Sequence, residues 1–505
     1  MRDAPENVIM AGSLSARRGW SPFKEPHHRA DILKHPGIET SEGAVPGGVS
    51  SPADLVRIKK AAGIAAGLSM LLPFFAALLY VRSFGVEVFH ADEWDFVSLL
   101  KESARGTLGV TDLLAHHNEH VYLAPWGVML LLGRLSEYAT VPLMYLVVAC
   151  LLGTTAAVYR AYASSAGRTP LALLLFVPVP LLVFSFRQHE NMLWGNQISF
   201  AFAQTFSVLA LCLLASRTGH AGRLAFPAAL CATVASCSGV PGLLAWPSGL
   251  LLLLLQFGKD GAPGRAETGA WVVLGAAVWG AYLVGFEAAS PASSFVLGHP
   301  AAGAEYLLTL SGASLFWSEG AALAAGALLL LVAAASVALA IALRRVRENA
   351  FWISLGAFSL MSLALIAAGR SGFGEAPFAQ AMLSRYTAFS IPGVVALYGL
   401  LVSLATNARS RVAVALMCVV LAAMLAGVLR SYQFGIETGR AVEDSRQQAA
   451  RILLAHEAEP LAAFTIFGHD PRRVQAHARF LDRHDYSTFA VSGPEAGGKA
   501  TLENP

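Results

Sequence analysis

An acidic motif, HADEWDF at residues 90–96, carries three carboxylates within four positions: Asp92, Glu93 and Asp95. Carboxylates packed this closely repel one another, and the repulsion favours a bound proton or a metal ion. All three are therefore candidate catalytic residues, with general-base chemistry as the leading role. The alternative is a solvated acidic loop that only covers the rest of the molecule.

A second polar cluster, HHNEH at residues 116–120, supplies His117, Glu119 and His120. These side chains can hydrogen-bond a polar substrate, and we predict that role for them. Histidine and carboxylate also suit zinc, but the spacing matches no standard zinc motif. We expect neither a metal site nor a cofactor. A divalent cation here and a plain polar turn remain the alternatives.

A third cluster, FRQHENMLWGNQ at residues 186–197, lies where two apolar runs meet. It holds more charged and amide groups than a turn requires, and an indole that could stack on a sugar. The alternative is an aromatic residue at a membrane interface with neighbours that reach into water. The candidate substrate-binding residues are Arg187, His189, Glu190, Asn191, Trp194 and Gln197.

A fourth cluster, QAMLSRY at residues 380–386, adds Arg385 and Tyr386, and Arg370 is a weaker candidate nearby. A guanidinium group presents a planar fork that donates two hydrogen bonds to two phosphate oxygens. We therefore predict that these arginines bind a phosphodiester. Anchoring to lipid headgroups is the alternative.

The composition shows which kind of molecule must position these clusters. The 505 residues are 55% hydrophobic and only 14% charged, with a mean hydropathy of +0.55. A soluble domain carries roughly 25% charged residues, so a soluble globular enzyme is excluded. The net charge of +3 gives no footprint for nucleic acid. All five cysteines lie in apolar runs and indicate no disulfide framework.

Long apolar runs predict an all-α polytopic membrane protein. A bilayer core of about 30 Å needs about 20 helical residues, and shorter runs are tolerated inside a helix bundle. The sequence predicts about eleven spans, at 61–81, 141–159, 170–186, 198–215, 224–240, 242–257, 270–286, 320–343, 350–368, 387–405 and 411–429.

The basic residues predict an orientation. Arginines and lysines precede the first span and recur in every second connection, so the N-terminus should be cytoplasmic. The four polar clusters and the C-terminus then lie on the outer face. The apolar stretch 121–135 is about fifteen residues long, and we predict a juxtamembrane helix there rather than a short span.

Three regions follow from this path. Residues 1–55 are predicted to be a disordered cytoplasmic tail, 56–430 the transmembrane domain, and 431–505 a small outer tail. The first loop, residues 82–140, should carry juxtamembrane helices. Phe96, Leu99 and Leu100 share one helical face, which suits a helix lying on the membrane surface. In the tail we predict a helix near 440–456 and a strand at 463–467.

This layout resembles the GT-C superfamily of integral-membrane glycosyltransferases, which includes protein O-mannosyltransferases and mycobacterial arabinosyltransferases. The resemblance covers the layout of residues 55–430. In motif it rests on HADEWDF, HHNEH, RQHENMLWGNQ and SRY. It implies a GT-C-like fold in a bacterial inner membrane, a polyprenyl-phosphate sugar donor, a glycan or lipid acceptor, and inversion at the anomeric carbon.

The resemblance also implies residue roles. Asp92 matches the acid of the family's loop, which would take the proton from the acceptor hydroxyl, with Glu93 or Asp95 as fallback. The phosphate roles of Arg187 and Arg385 are chemical inference, and Trp194, His120 and Gln197 would position sugars.

Three other functions compete with sugar transfer: a transporter or lipid flippase, an O-antigen polymerase or ligase that acts on lipid-linked glycans, and a structural membrane subunit. Transporters place ionisable residues near the middle of the bilayer. Here the predicted spans carry almost no charge and the polar groups collect at one face, which favours chemistry at the membrane surface.

Overall fold

The computed structural model describes residues 52–216, 221–257, 264–286, 292–372 and 380–491. Most of the predicted cytoplasmic tail, residues 1–51, and the end of the predicted outer tail, 492–505, lie outside these ranges. So do parts of two predicted outer connections, at 287–291 and 373–379. The described residues from Val56 onward belong to one unit.

Helices dominate the described residues. The α-helices are Pro52–Phe84, Glu93–Arg105, Val110–Leu114, Leu123–Ser136, Val141–Ala166, Pro170–Phe176, Pro178–Val183, His189–Leu193, Ile198–Ala215, Ala221–Ser236, Ala245–Gln256, Arg265–Leu283, Ala292–Gly298, Pro300–Gly312, Glu319–Ala342, Ala350–Arg370, Thr387–Asn407, Arg411–Leu454, Pro471–Arg483 and Thr488–Val491. Short 3₁₀ helices are Phe186–Gln188, Gly195–Gln197, Val240–Leu244, Ser384–Tyr386 and Leu461–Phe467. Two strands, His116–His117 and His120–Val121, form an antiparallel hairpin that pairs His117 with His120.

Eight helical stretches within the described residues are long and apolar enough to cross a membrane. Large apolar side chains such as Leu68, Leu72, Leu331 and Leu429 are exposed along them. Apolar surface of this extent is stable against lipid and not against water. The chain is thus a predominantly helical, multi-pass protein that associates with a lipid bilayer. The eight stretches are Gly63–Phe84, Val141–Ala166, Pro170–Leu193, Gly195–Ala215, Glu319–Ala342, Ala350–Arg370, Ser384–Asn407 and Arg411–Leu454.

The structure does not reproduce the predicted count of eleven. The runs at 224–240, 242–257 and 270–286 do form helices, but none of them is among the eight. Two of these apolar helical stretches, Ala225–Ser236 and Val240–Gln256, are shorter than the eight and similar in length to Leu123–Ser136, the predicted juxtamembrane helix.

The first loop is a small folded layer. Helix Glu93–Arg105 ends at Gly106, whose φ of 73° is left-handed and whose N–H reaches the carbonyls of the last turn. This geometry suits glycine, which has no Cβ to clash. The hairpin and helix Leu123–Ser136 follow. The carboxylate of Glu87 accepts the N–H of Val141 at 3.0 Å, which anchors the loop to the next membrane helix.

The last long helix, Arg411–Leu454, has 44 residues and is about 66 Å long. A bilayer core is about 30 Å thick, so the helix extends well beyond it. The predicted boundary between 430 and 431 falls inside this helix. Its middle lies beside the end of the first helix, where the Tyr80 hydroxyl donates to the Gly435 carbonyl at 2.8 Å. The projecting part of the helix thus lies on the same side as the first loop.

Residues 455–491, here called the C-terminal segment, pack on the first loop. Phe464, Phe467 and Leu481 share one apolar cluster with Phe96 and other residues of helix Glu93–Arg105. Two predictions are wrong here. The expected strand at 463–467 lies inside the 3₁₀ helix Leu461–Phe467. The apolar face of Phe96, Leu99 and Leu100 is buried against protein and does not lie on the membrane.

Candidate active site

A cavity of about 510 Å³ lies where the first loop meets the membrane helices. Each of the four polar clusters contributes to its wall. The lining residues that the sequence predicted are Asp92, Glu119, His120, Trp194, Gln197, Arg370, Arg385 and Tyr386.

Asp92 is the carboxylate of the acidic motif that faces the cavity. It immediately precedes helix Glu93–Arg105, and its side chain makes no capping hydrogen bond. Ala91 before it has a φ of 45°, a left-handed conformation that non-glycine residues rarely adopt. Arg385 and Tyr122 are among the groups close enough to interact electrostatically with the Asp92 carboxylate. Asp92 is thus placed to take a proton from a ligand in the cavity.

Glu93 is buried and serves as a structural link. Its two carboxylate oxygens accept the N–H groups of His90 at 2.8 Å and of Asn196 at 2.9 Å. Burial raises the pKa of Glu93 to about 8, although these two hydrogen bonds and the positive charge of Arg446 oppose the shift. Glu93 does not line the cavity, so the structure gives it no contact with a substrate.

Asp95 points away from the cavity toward the C-terminal segment. Its carboxylate pairs with Arg473 at 2.7 Å and lies 3.5 Å from Nε2 of His117. His117 also packs on the rings of Tyr122 and Trp126. Neither Asp95 nor His117 lines the cavity, and their contacts join the hairpin, the acidic motif and the C-terminal segment.

Arg385 is held in place by Glu190. The carboxylate of Glu190 accepts the Arg385 backbone N–H at 2.9 Å, its Nη1 at 3.3 Å and the Ser384 hydroxyl at 2.9 Å. The guanidinium lies 5.9 Å from the ring centre of Trp194 and 5.4 Å from that of Tyr386. Glu190 lies behind the cavity wall, so Arg385 presents a fixed positive charge there.

The second cation of the wall is Arg370, at the end of helix Ala350–Arg370. It forms an ion pair of 3.4 Å with Glu119, which sits at the turn of the hairpin. The hydroxyl of Tyr282 donates to the Glu119 carbonyl at 3.0 Å and accepts the Val121 N–H at 3.1 Å. The hairpin is thus fixed to the two helices Ala350–Arg370 and Arg265–Leu283.

His120 is a neutral hydrogen-bond donor in this site. Its Nδ1 accepts the backbone N–H of Val240 at 3.3 Å, so the ring proton lies on Nε2. Burial is the largest cause that lowers the pKa of His120 to about 4, and Arg370 adds to it. His120 therefore offers a donor at neutral pH and is a poor general base.

Three predicted residues of the third cluster belong to the packing around the cavity. Arg187 is almost fully buried and donates to the carbonyls of Met382 at 2.7 Å and Phe316 at 3.4 Å. His189 stacks on Trp317, and Asn191 donates to the Gln188 side chain. None of the three lines the cavity. Arg187 therefore supports the packing behind the wall and does not reach a phosphate in the cavity.

Several wall residues escaped the sequence analysis because they lie in apolar runs or carry no charge. One side of the wall is apolar and includes Phe200, Phe286, Leu365 and Ile366. The phenol of Tyr122 also faces the cavity, and burial raises its pKa, so it keeps its proton. The uncharged polar residues that were missed are Asn118, Asn196, Ser199 and Gln380.

Two polar atoms of the wall are buried without a hydrogen-bond partner among the described residues: Nε1 of Trp194 and Oε1 of Gln197. Buried polar atoms are nearly always hydrogen-bonded, so these two are exceptions within the packing of the wall.

Among the residues that the structure describes, no group of three or more histidine, cysteine or acidic side chains is arranged to hold a metal ion. Comparison of the chain with models of known families, with curated proteins and with solved structures gave no match.

Proposed function

We propose that this protein is a membrane glycosyltransferase of the GT-C type. It moves a sugar from a polyprenyl-phosphate donor to a hydroxyl of a cell-envelope glycan or lipid. The observation that carries the proposal is the composition of the cavity wall. The Asp92 carboxylate, two anchored guanidinium groups, an indole and an apolar side surround one space of about 510 Å³.

In the proposed reaction Asp92 acts as the general base. The acceptor hydroxyl loses its proton to the Asp92 carboxylate while its oxygen bonds to the anomeric carbon. The bond from that carbon to the phosphate oxygen breaks, and the lipid phosphate leaves with the electron pair. Attack from the side opposite the leaving group inverts the anomeric carbon. The Asp92 side chain makes no capping hydrogen bond to the helix that follows it, which leaves its oxygens available for this proton.

Arg385 fits the developing negative charge of the leaving phosphate. Its backbone and side chain are held by Glu190, so its position costs no reorganisation during the reaction. Arg370 provides a second positive charge on the wall, partly balanced by Glu119. Of the two cations, Arg385 is the better candidate for the phosphate because its partner carboxylate does not line the cavity.

Trp194, Gln197 and His120 fit the sugar. All three residues line the cavity, and an indole offers an apolar face for the carbons of the sugar ring. Gln197 brings an amide side chain to the wall, and His120 offers an Nε2 donor. The apolar side of the wall, which includes Phe286 and Ile366, suits the hydrocarbon of the lipid.

The setting is also part of the proposal. We propose a bacterial inner membrane, a cytoplasmic N-terminus and a cavity on the periplasmic face, with the C-terminal segment on that same face. We further propose that helices Ala221–Ser236, Ala245–Gln256 and Arg265–Leu283 cross the bilayer as part of the bundle, which gives about eleven spans.

The variant Asp92→Asn tests the proposal, because an amide cannot accept the acceptor's proton. Purified protein would be incubated with radiolabelled polyprenyl-phosphate sugars and membrane acceptors. We expect transfer to fall about 10²-fold or more, with expression and membrane insertion unchanged. Glu102→Gln is the control, since it removes a carboxylate from the exposed face of the adjoining helix.

Three outcomes decide between functions. If the Asp92→Asn variant transferred sugar at the wild-type rate, Asp92 would be excluded as the base. Label that changes leaflet without a new glycosidic bond would point to a flippase. Transfer that requires a lipid-diphosphate donor would point to a polymerase or ligase.

A further inference from the structure

The C-terminal segment contacts the acidic motif at three closely spaced residues. Nε2 of His469 lies 2.9 Å from the carbonyl oxygen of Ala91. The ring of Trp94 contacts Phe467 at a centroid distance of 5.3 Å. Asp95 pairs with Arg473 at 2.7 Å. About 375 residues of chain separate the two halves of these contacts, so they form only in the folded protein.

The contact to Ala91 is the one closest to the reacting group. A carbonyl oxygen only accepts, so Nε2 of His469 carries the hydrogen and donates it. The same carbonyl accepts the N–H of Trp94 at 3.0 Å, in the turn that starts the helix. Ala91 has a φ of 45°, and alanine gains nothing intrinsic from that conformation. The surroundings must therefore hold this peptide in place.

Asp92 lies between two fixed points. On one side Glu93 is tied to the backbone of His90 and Asn196. On the other side the Ala91 carbonyl is tied to His469. The Asp92 side chain itself makes no capping hydrogen bond. Besides its electrostatic interactions with Arg385 and Tyr122, its direction into the cavity thus depends on the backbone at residues 91–93.

We propose that His469 is a positioning residue: it holds the left-handed peptide at Ala91 and thereby orients the Asp92 carboxylate into the cavity. The C-terminal segment is then a working part of the site. The role of that orientation in catalysis rests on the proposed function. The hydrogen bond from His469 to the Ala91 carbonyl, here called the clamp, does not depend on the proposed function and can be measured separately.

Hydrogen exchange of the purified full-length protein measures the clamp without an activity assay. His469→Ala removes the donor, while His469→Gln replaces it with an amide N–H of similar reach. We expect exchange at residues 90–95, and at the Trp94 amide above all, to rise about 5-fold in the alanine variant. The glutamine variant should restore it. His484→Ala is the matched control, because its ring hydrogen-bonds to the Phe480 carbonyl of the preceding helix turn and packs on Phe480 and Tyr486, none of which belongs to the acidic motif.

Steady-state kinetics of the same variants test the consequence. A misplaced base slows the chemical step and leaves donor binding intact, so kcat should fall about 10- to 100-fold with KM unchanged in His469→Ala. The glutamine variant should recover most of that loss.

Each contrary result is informative. If residues 90–95 exchange as slowly in His469→Ala as in the wild type, the clamp is overturned, whatever the activity of the variant. Faster exchange throughout the protein, unrescued by glutamine, shows a role in folding only and also overturns it. Faster local exchange with unchanged kcat overturns the positioning role. If the wild type transfers no sugar, the proposed function fails, and the exchange experiment still decides the clamp.

Discussion

The three acids of the motif have three different environments because a helix begins at Glu93. Asp92 precedes the helix and faces the cavity, Glu93 turns inward to two backbone N–H groups, and Asp95 reaches Arg473. The sequence identified the group but could not rank its members from spacing alone. Which acid faces the cavity depends on the helix start and on the left-handed residue Ala91, and neither has a clear signal in the letters HADEWDF.

Gly195 gives a prediction at the joint between the acidic motif and the third cluster. A Cβ at this position would lie 2.9 Å from Oε1 of Glu93 and 3.1 Å from the Thr140 carbonyl. Gly195→Ala should therefore push Glu93 off the Asn196 N–H and lower the free energy of unfolding by about 1–3 kcal/mol. Thermal unfolding in detergent measures the change.

Gly127→Ala is the matched control, since a Cβ there meets nothing within 4 Å in helix Leu123–Ser136. It should leave stability unchanged or raise it by up to about 1 kcal/mol, because alanine favours a helix more than glycine does. Equal melting temperatures for the two variants would contradict the close approach at Gly195.

Among the elements, the first loop and the C-terminal segment form one folded layer. The sequence predicted a helix with Phe96, Leu99 and Leu100 on one apolar face but assigned that face to the membrane surface. Lipid and protein both cover an apolar face, and the pattern of Phe96, Leu99 and Leu100 is the same for either. The partner residues, including Phe464 and Phe467, lie more than 360 positions away, which no local pattern reveals.

Two neighbouring residues of the 3₁₀ helix Leu461–Phe467 test this layer. Phe467 is 1% exposed and packs on Trp94, whereas Ile466 is 44% exposed. Phe467→Ala should lower the free energy of unfolding by about 3–5 kcal/mol, because it opens a cavity beneath the acidic motif. Ile466→Ala should cost less than about 1 kcal/mol.

Limited proteolysis at the C-terminal segment, together with thermal unfolding, compares the two variants. Faster cleavage in Phe467→Ala alone is the expected result. Equal sensitivity of both variants would mean that the segment is not anchored through Phe467.

At the scale of the whole molecule, eight of the eleven predicted spans correspond to helical stretches that are long and apolar enough to cross a membrane. These spans were predictable because a run of about 20 apolar residues has few other roles in a folded chain. The shorter runs at 224–240 and 242–257 form helices whose length suits either a span or a buried core. The cavity was foreseen only as a convergence of polar clusters. Its apolar side, with Phe200 and Phe286, could not be separated from ordinary membrane helix by composition.

Four buried groups in the first loop and the C-terminal segment contribute to the pH dependence of the fold. Burial is the main cause that lowers the pKa of His90 to about 3 and of His120 and His477 to about 4. Nearby charges, including Arg446 for His90 and Lys101 for His477, add to this effect. Burial raises the pKa of Glu93 to about 8. The histidines and the acid therefore act in opposite directions.

Stability should pass through a maximum near pH 6.5. Below that pH the unfolded chain protonates three histidines that the native state keeps neutral, and each missing proton removes ~1.4 kcal/mol per pH unit. Glu93 has the opposite effect on stability. Between its ordinary pKa and about pH 8, the folded protein keeps a proton on Glu93 that the unfolded chain has lost, so stability falls as the pH rises. Above pH 6.5 Glu93 is the one of these four groups whose protonation still differs between the folded and unfolded states. Stability should therefore decline toward pH 8 and then level off. Melting temperatures in detergent from pH 4.5 to 8 measure the profile, and Glu93→Gln should abolish the decline above pH 6.5. A wild-type melting temperature that rises steadily to pH 8 would show that Glu93 is ionised in the folded protein throughout this range.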